Sequence, residues 1–298
     1  MISREDAAGE GISVIVPFYG MELASLERCV EAILGQEDPG GEVELIVVDN
    51  HPARVLAGEF RAGVRVVHEP RAGSYAARNT GVRSARGSIL AFTDADCRPD
   101  RHWLREGLRA LRENPEVAYV GGEIVWSFGW EARPGVLELY DSLVHMRQKV
   151  YLEEQHFAAT ANLLVRRFLF EEVGPFDEAH FSSGDGSWGR RVWSMGYGQA
   201  LCAAAVVHHP ARATWGELTR KTRRLRGGEL IRAEKAPTLA ELWQEVWQDG
   251  KWKFRIVRKN RGLFGRWRVY GGFLTVIGLE AVRLREGLRL RWGGKAQR

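Results

Sequence analysis

Four short apolar runs, each closed by polar or charged residues, do most to limit what this chain can fold into. Ile12-Ser13-Val14-Ile15-Val16 stops at Pro17, and Val43-Glu44-Leu45-Ile46-Val47-Val48 stops at Asp49-Asn50. Val64-Arg65-Val66-Val67 ends at His68-Glu69-Pro70, and Ser88-Ile89-Leu90-Ala91-Phe92-Thr93 ends at Asp94-Ala95-Asp96. Each run has strand length. Between them, Leu23, Leu26, Val30, Ile33 and Leu34 recur at helical spacing, and the Ala-rich stretch 74–85 is compatible with a helix. Strand and helix patterns that alternate in this way predict βαβ units and a mainly parallel α/β sheet. Ligands of such sheets lie beyond the carboxyl ends of the strands, where Pro17, Asp49 and Asp94 fall.

The fourth run carries the chemistry. Residues two apart on an extended backbone share a face, so Asp94 and Asp96 would present both carboxylates together at the end of a buried strand. Hard oxygen ligands of this kind suit Mg²⁺ or Mn²⁺ and leave coordination positions for water and for diphosphate oxygens. The competing reading is a loop in which Asp96 or Asp100 caps the helix announced by Trp103, Leu104, Leu108 and Leu111.

Further along, 117–122 reads as a strand continuing toward Trp126, 136–151 as one helix with Leu139, Leu143, Met146 and Val150 on a face, and 158–165 as a strand. A short helix at 166–173, a turn at 174–177, a polar loop at 180–186 and a helix at 188–195 follow. The strand-like 199–207 ends in His208-His209-Pro210. A length of 298 residues with 45% hydrophobic and 27% charged residues suits a large α/β domain with an appendage and argues against disorder. Three scattered cysteines, Cys29, Cys97 and Cys202, make neither a disulfide framework nor a zinc pattern and point to a reducing compartment. The polar stretch 1–11 has no apolar core of a signal peptide, so a cytoplasmic location is expected.

Taken in order, the segments resemble a bacterial family 2 glycosyltransferase with the GT-A fold over roughly residues 12–226. The resemblance rests on Val14-Ile15-Val16-Pro17-Phe18-Tyr19, Leu45-Ile46-Val47-Val48-Asp49-Asn50, Arg71-Ala72-Gly73-Ser74-Tyr75-Ala76-Ala77-Arg78-Asn79-Thr80-Gly81 and Phe92-Thr93-Asp94-Ala95-Asp96. Downstream it continues through Ala161-Asn162-Leu163-Leu164, Gly174-Pro175-Phe176-Asp177-Glu178, Ser183-Gly184-Asp185-Gly186-Ser187-Trp188 and Val206-Val207-His208-His209-Pro210.

That resemblance implies an inverting, metal-dependent transfer of sugar from a nucleoside-diphosphate sugar, UDP-sugar by default, to a hydroxyl acceptor that the sequence does not name. Pro17 and Tyr19 would line the base and Asp49 would accept from it, as a carboxylate suits an imide N–H. Arg71 and Arg78, around the turn at Gly73, would meet the diphosphate together with helix N-terminal amides. Asp96, with Asp94 and His209, would hold the metal. Asp185 matches the family's catalytic base. Neighbours on a strand face opposite ways, so only one of His208 and His209 turns inward, and His209 is preferred. Gly184 and Ser187 stand where many relatives carry acids, which raises the alternative of a non-catalytic nucleotide-sugar-binding protein. A sugar-phosphate nucleotidyltransferase is a weaker alternative, because 16–21 lacks a glycine-rich phosphate loop.

The sequence divides into a catalytic region, 1–210, and a basic, Trp-rich helical region, 211–298. The latter holds 22 of the 43 Lys and Arg but 8 of the 38 Asp and Glu, together with six tryptophans. Such a tail on an acidic body suggests an anionic partner. No nucleic-acid-binding motif is present. Helices rich in Trp, aliphatics, Lys and Arg suit a headgroup layer, so peripheral contact with an anionic membrane surface near a lipid-linked acceptor is expected, with packing on the catalytic body or a homodimer contact as the alternative. The apolar stretch 269–282 is too short to span a bilayer.

Overall fold

The four runs become four adjacent parallel strands. The structure, a computed structural model, describes residues 11–20, 22–56, 60–129, 133–180, 182–233 and 236–294. Residues 1–10, most of the stretch read as lacking a leader, lie outside the described residues. The first half of the chain forms β1 (Ile12–Phe18), α1 (Leu23–Leu34), β2 (Val43–Asp49), β3 (Val64–His68), α2 (Ser74–Ser84), β4 (Ile89–Thr93), β5 (Arg98–Pro99), α3 (Trp103–Glu113), β6 (Val117–Ser127) and α4 (Val136–Val144). The remainder forms α5 (Gln148–Gln155), β7 (Asn162–Arg166), α6 (Phe168–Glu172), α7 (Gly184–Ser194), β8 (Gly198–Pro210), α8 (Trp215–Arg232), α9 (Leu239–Lys259), α10 (Arg261–Phe264) and α11 (Arg268–Arg291).

One sheet has the order β3-β2-β1-β4-β7-β6-β8-β5. β1 runs parallel to β2 and β4, and β2 parallel to β3. β7 then pairs antiparallel with β4 and with β6, and the two-residue β5 pairs antiparallel with β8. The fold is therefore mixed α/β, with a mostly parallel centre flanked by helices, and its antiparallel side comes from strands whose direction an apolar run does not encode.

The chain forms two compact units. The first comprises Met1–Val125, Gln148–Ala179 and Gly184–His209, and the second Trp126–Arg147, His180–Ser183 and Pro210–Arg298. In the first unit Ile15, Ile46, Val48, Phe92, Leu163 and Val165 of the strands are buried with Phe170, Phe176 and Trp188. In the second, Leu139, Tyr140 and Val144 of α4 pack with Leu218, Val257, Phe264, Val276 and Leu279. The helix expected over 136–151 is split between these cores. α4 ends at Val144, and Met146 has a φ of +49° before α5 begins. The break is fixed by the fully buried Asp141, whose carboxylate binds His145 Nδ1 at 2.7 Å and Lys221 Nζ at 2.8 Å. Burial works against that carboxylate's charge, but His145, Lys221 and Arg212 outweigh it and hold its pKa well below the ordinary range.

Candidate active site

The site is built within the first unit, beyond the carboxyl ends of the parallel strands. At the end of β1, Pro17 is half-buried, and Tyr19 is exposed with its ring 5.6 Å from that of His51. Asp49 ends β2 and is fully buried. Its two oxygens accept the backbone N–H groups of His51 at 3.0 Å and Leu56 at 2.7 Å, so it organises the loop that follows. Asp49 therefore acts as a turn residue, with its carboxylate holding backbone of the loop.

Glu69 and Asn50 shape the turn into α2. Asn50 donates to the carbonyls of Glu69 and Arg71 and accepts from Gly73 N–H at 2.9 Å. The Glu69 carboxylate receives Arg71 Nε at 2.9 Å, Arg71 Nη2 at 2.7 Å and Thr80 Oγ1 at 2.6 Å. These bonds, chiefly that with Arg71, lower its pKa to about 2 against the opposing effect of burial. Arg71 also pairs with Glu178. The guanidinium expected to meet phosphate is therefore matched by two carboxylates. Asn79 fixes the partner loop by bonding both the N–H and the carbonyl of Phe176, at 3.0 and 2.8 Å.

Arg78 is different. It is 4% exposed, its Nη2 lies 2.5 Å from Asp94 Oδ1, and its Nε is buried with no hydrogen-bond partner among the described residues. An unpaired N–H on a buried cation costs free energy unless an acceptor arrives, and a phosphate oxygen is such an acceptor.

Asp94, Asp96, Cys97 and His209 place one ligand atom each within 4.8 Å of one another. His209 is 2% exposed and belongs to this group, whereas its strand neighbour His208 pairs in register with Arg98. Burial, reinforced by Asp96 and Asp94, raises the Cys97 thiol well above its ordinary pKa. A protonated thiol is a poor ligand for a hard cation, which leaves two carboxylates and an imidazole, a set that fits Mn²⁺ or Mg²⁺. The helix-capping alternative is not what the structure shows: the N-cap of α3 is His102, which makes no side-chain cap bond, and Asp100 Oδ1 accepts only from His102 N–H at 3.2 Å in the turn before the helix. Asp96 is left to the cluster.

Asp185 stands in the first turn of α7, half-buried. Its Oδ1 accepts from Gly186 N–H at 2.9 Å and from the Tyr75 hydroxyl at 3.0 Å, and its Oδ2 faces Thr160 N–H at 3.5 Å. Tyr75 was not singled out from the sequence. Its ring is buried, carries the Arg78 guanidinium 5.5 Å from its centroid, and passes so close to Gly184 that a Cβ there would sit 2.7 Å from a ring carbon. The missing acid before Asp185 thus has a steric cause. The only signal in the sequence was the pairing of a large residue in one motif with a glycine in another, 109 positions on.

Comparison with known proteins places the chain in a family. The family model described as glycosyl transferase family 2 matches residues 13–174. Glycosyltransferase AglE of Haloferax volcanii is 34% identical over 226 residues, covering 74% of this chain and 73% of AglE. The pre-mycofactocin glycosyltransferase of Mycobacterium tuberculosis is 28% identical over 210 residues, covering 67% of this chain but 43% of that protein. Among solved structures, mannosyltransferase PcManGT of Pyrobaculum calidifontis, in complex with GDP-Man and Mn²⁺, superposes with a TM-score of 0.60 at 19% identity, covering 95% of this chain and 88% of its own. That likeness speaks for the fold, while the family match and the AglE identity speak for descent: the chain belongs to glycosyl transferase family 2 and is a glycosyltransferase.

Proposed function

We propose that the protein transfers a sugar from a nucleoside-diphosphate sugar to an acceptor hydroxyl with inversion, using a divalent cation. The observation that carries this reading is the joining of two assemblies through Tyr75: Arg78 with Asp94, Asp96 and His209 on one side, and Asp185 on the other. The GDP-Man and Mn²⁺ held by the Pyrobaculum protein support the same classes of donor and metal here.

Asp96, Asp94 and His209 would hold the cation, which when bound supplies positive charge to the diphosphate leaving group. Arg78 adds a charge-assisted hydrogen bond to the same oxygens through its Nε–H, which has no partner among the described residues. Asp185, kept in place by Tyr75 and Gly186, takes the proton of the acceptor hydroxyl as that oxygen attacks the anomeric carbon from the opposite face. Tyr19 offers the base an exposed ring beside Pro17, and Asp49 contributes through the loop it holds and its remaining lone pairs. UDP is the default base, and the neighbour's ligand makes GDP its direct competitor. Residues 211–298 are assigned to an anionic, cytoplasmic membrane surface, which would bring the site to a lipid-linked acceptor.

A thermal-shift panel of UDP-, GDP- and dTDP-sugars with and without Mn²⁺, followed by release of nucleoside diphosphate from the donor that binds, tests this reading. Stabilisation by one donor class, enhanced by Mn²⁺ and accompanied by turnover, is expected. Binding without turnover on any hydroxyl acceptor or water would instead indicate a nucleotide-sugar-binding protein.

A further inference from the structure

We infer that the outward face of α10 and α11 is a docking surface for an anionic lipid bilayer. α11 carries apolar side chains on two opposite faces. Gly272, Thr275, Val276 and Leu279 are buried in the second unit. Trp267, the N-cap of α11, and Tyr270, Leu274 and Ile277 of the helix, at positions i, i+3, i+7 and i+10, fall on the opposite side. They are 75%, 59%, 67% and 55% exposed, and Leu263 of α10 is 60% exposed. Large apolar side chains grouped in this way are uncommon on a surface that meets only water.

Charge identifies the occupant. Arg261 of α10, Arg266 in the turn between the helices and Arg285 of α11 are exposed, and the Arg266 guanidinium lies 5.7 Å from the Trp267 ring centroid. The acidic residues of 261–291 are Glu280 and Glu286, both buried; Glu280 pairs with Lys253 at 2.5 Å and Glu286 with Arg289. The face therefore offers aromatic and aliphatic anchors with exposed cations before and after them along the chain, and the acids of 261–291 are buried. A second copy packed symmetrically on this face would set arginines against arginines, which disfavours a homodimer as its occupant. An anionic headgroup layer accepts both the side chains and the charges. Among the described residues no helix is long and apolar enough to cross a membrane, so the contact is one of lying on the surface.

This inference rests on the membrane assignment within the proposed function but not on its chemistry, and the test needs neither donor nor turnover. The full chain is sedimented with vesicles of phosphatidylcholine alone and of phosphatidylcholine with phosphatidylglycerol, at low and high salt. Binding to the anionic vesicles, weakened by salt, is expected. Leu274→Glu with Ile277→Glu should lower the partition coefficient at least about tenfold. Arg261→Gln with Arg266→Gln and Arg285→Gln should lower the anionic component while weak binding to neutral vesicles persists. Unchanged thermal unfolding of each variant excludes a folding defect, as these side chains face outward. Sedimentation of the wild type that the Leu274→Glu, Ile277→Glu pair leaves intact would overturn the assignment of this face. So would absence of vesicle binding together with a dimer in light scattering that the same pair dissociates.

Discussion

Replacing Tyr75 with Phe removes one oxygen and little else. The ring still fills the space against Gly184 and still lies beneath Arg78, so the donor side of the site is kept. What goes is the 3.0 Å bond to Asp185 Oδ1, leaving that oxygen, among the described residues, with Gly186 N–H and Oδ2 with the long contact to Thr160. A hydrogen bond to a charged group is worth about 1.5–3 kcal/mol net, and the half-exposed setting of Asp185 places this one near the lower end. If that amount is lost in the transition state, turnover falls roughly tenfold, at about 1.36 kcal/mol per decade. The assay is nucleoside diphosphate release under Mn²⁺, resolved into kcat and KM, with nucleotide affinity measured by titration calorimetry. The expected result is a lower kcat with KM and nucleotide affinity unchanged. A variant with wild-type kcat, or one whose loss appears in KM alone, would refute the idea that Tyr75 positions the base.

Other consequences follow from the same geometry. Asp185→Asn keeps the shape but cannot take a proton, so nucleotide affinity should hold while turnover drops by about 10²-fold or more; near-normal turnover would remove Asp185 from the chemistry. The Glu69 carboxyl has a folded pKa of about 2 against an ordinary 4.5, so its bonds to Arg71 and Thr80 stabilise the fold above about pH 4.5 and lose that effect as pH falls toward 2. In denaturant titrations the stability gap between wild type and Glu69→Gln should therefore be full at neutral pH and shrink over that acid window, and a gap constant with pH would show that the carboxylate's charge is not what matters. At Gly122 a Cβ would overlap the Ala205 carbonyl and the Asn162 amide, which bridges the Glu123 and Ala205 carbonyls and accepts from Trp103 Nε1. Gly122→Ala should cost about 1–3 kcal/mol of stability, read from its unfolding midpoint, with donor affinity less affected.

The parallel half of the sheet was legible because each of its strands is a self-contained apolar run with polar residues at the ligand-facing end. The alternation rule foretold that one of His208 and His209 turns inward, while the motif around Pro210 pointed to His209, which is the buried one. The split at Met146 was hidden because helical spacing continues through it: Leu139 and Leu152 lie on either side of the break and are buried in different units. Arg71 could be placed beside a phosphate loop from its motif, but its pairing with Glu178 spans 107 residues and depends on Asn79 fixing the loop around Phe176. Asp49 reads the same in sequence whether it faces a base or caps its own loop. The hydroxyl that holds Asp185 comes from a residue whose ring belongs to the core, and nothing local marks such a residue as functional.

The central claim is that Asp94, Asp96 and His209 bind a divalent cation jointly with the diphosphate of a nucleotide sugar. Its most direct test is calorimetric titration of the preferred nucleotide sugar into wild type and Asp96→Ala, each with and without Mn²⁺. Wild type should bind at least about tenfold more tightly with Mn²⁺, a gain of about 1.4 kcal/mol. In Asp96→Ala that gain should vanish while the metal-free unfolding midpoint stays near that of wild type. A Mn²⁺-dependent gain undiminished in a folded Asp96→Ala protein would contradict the account.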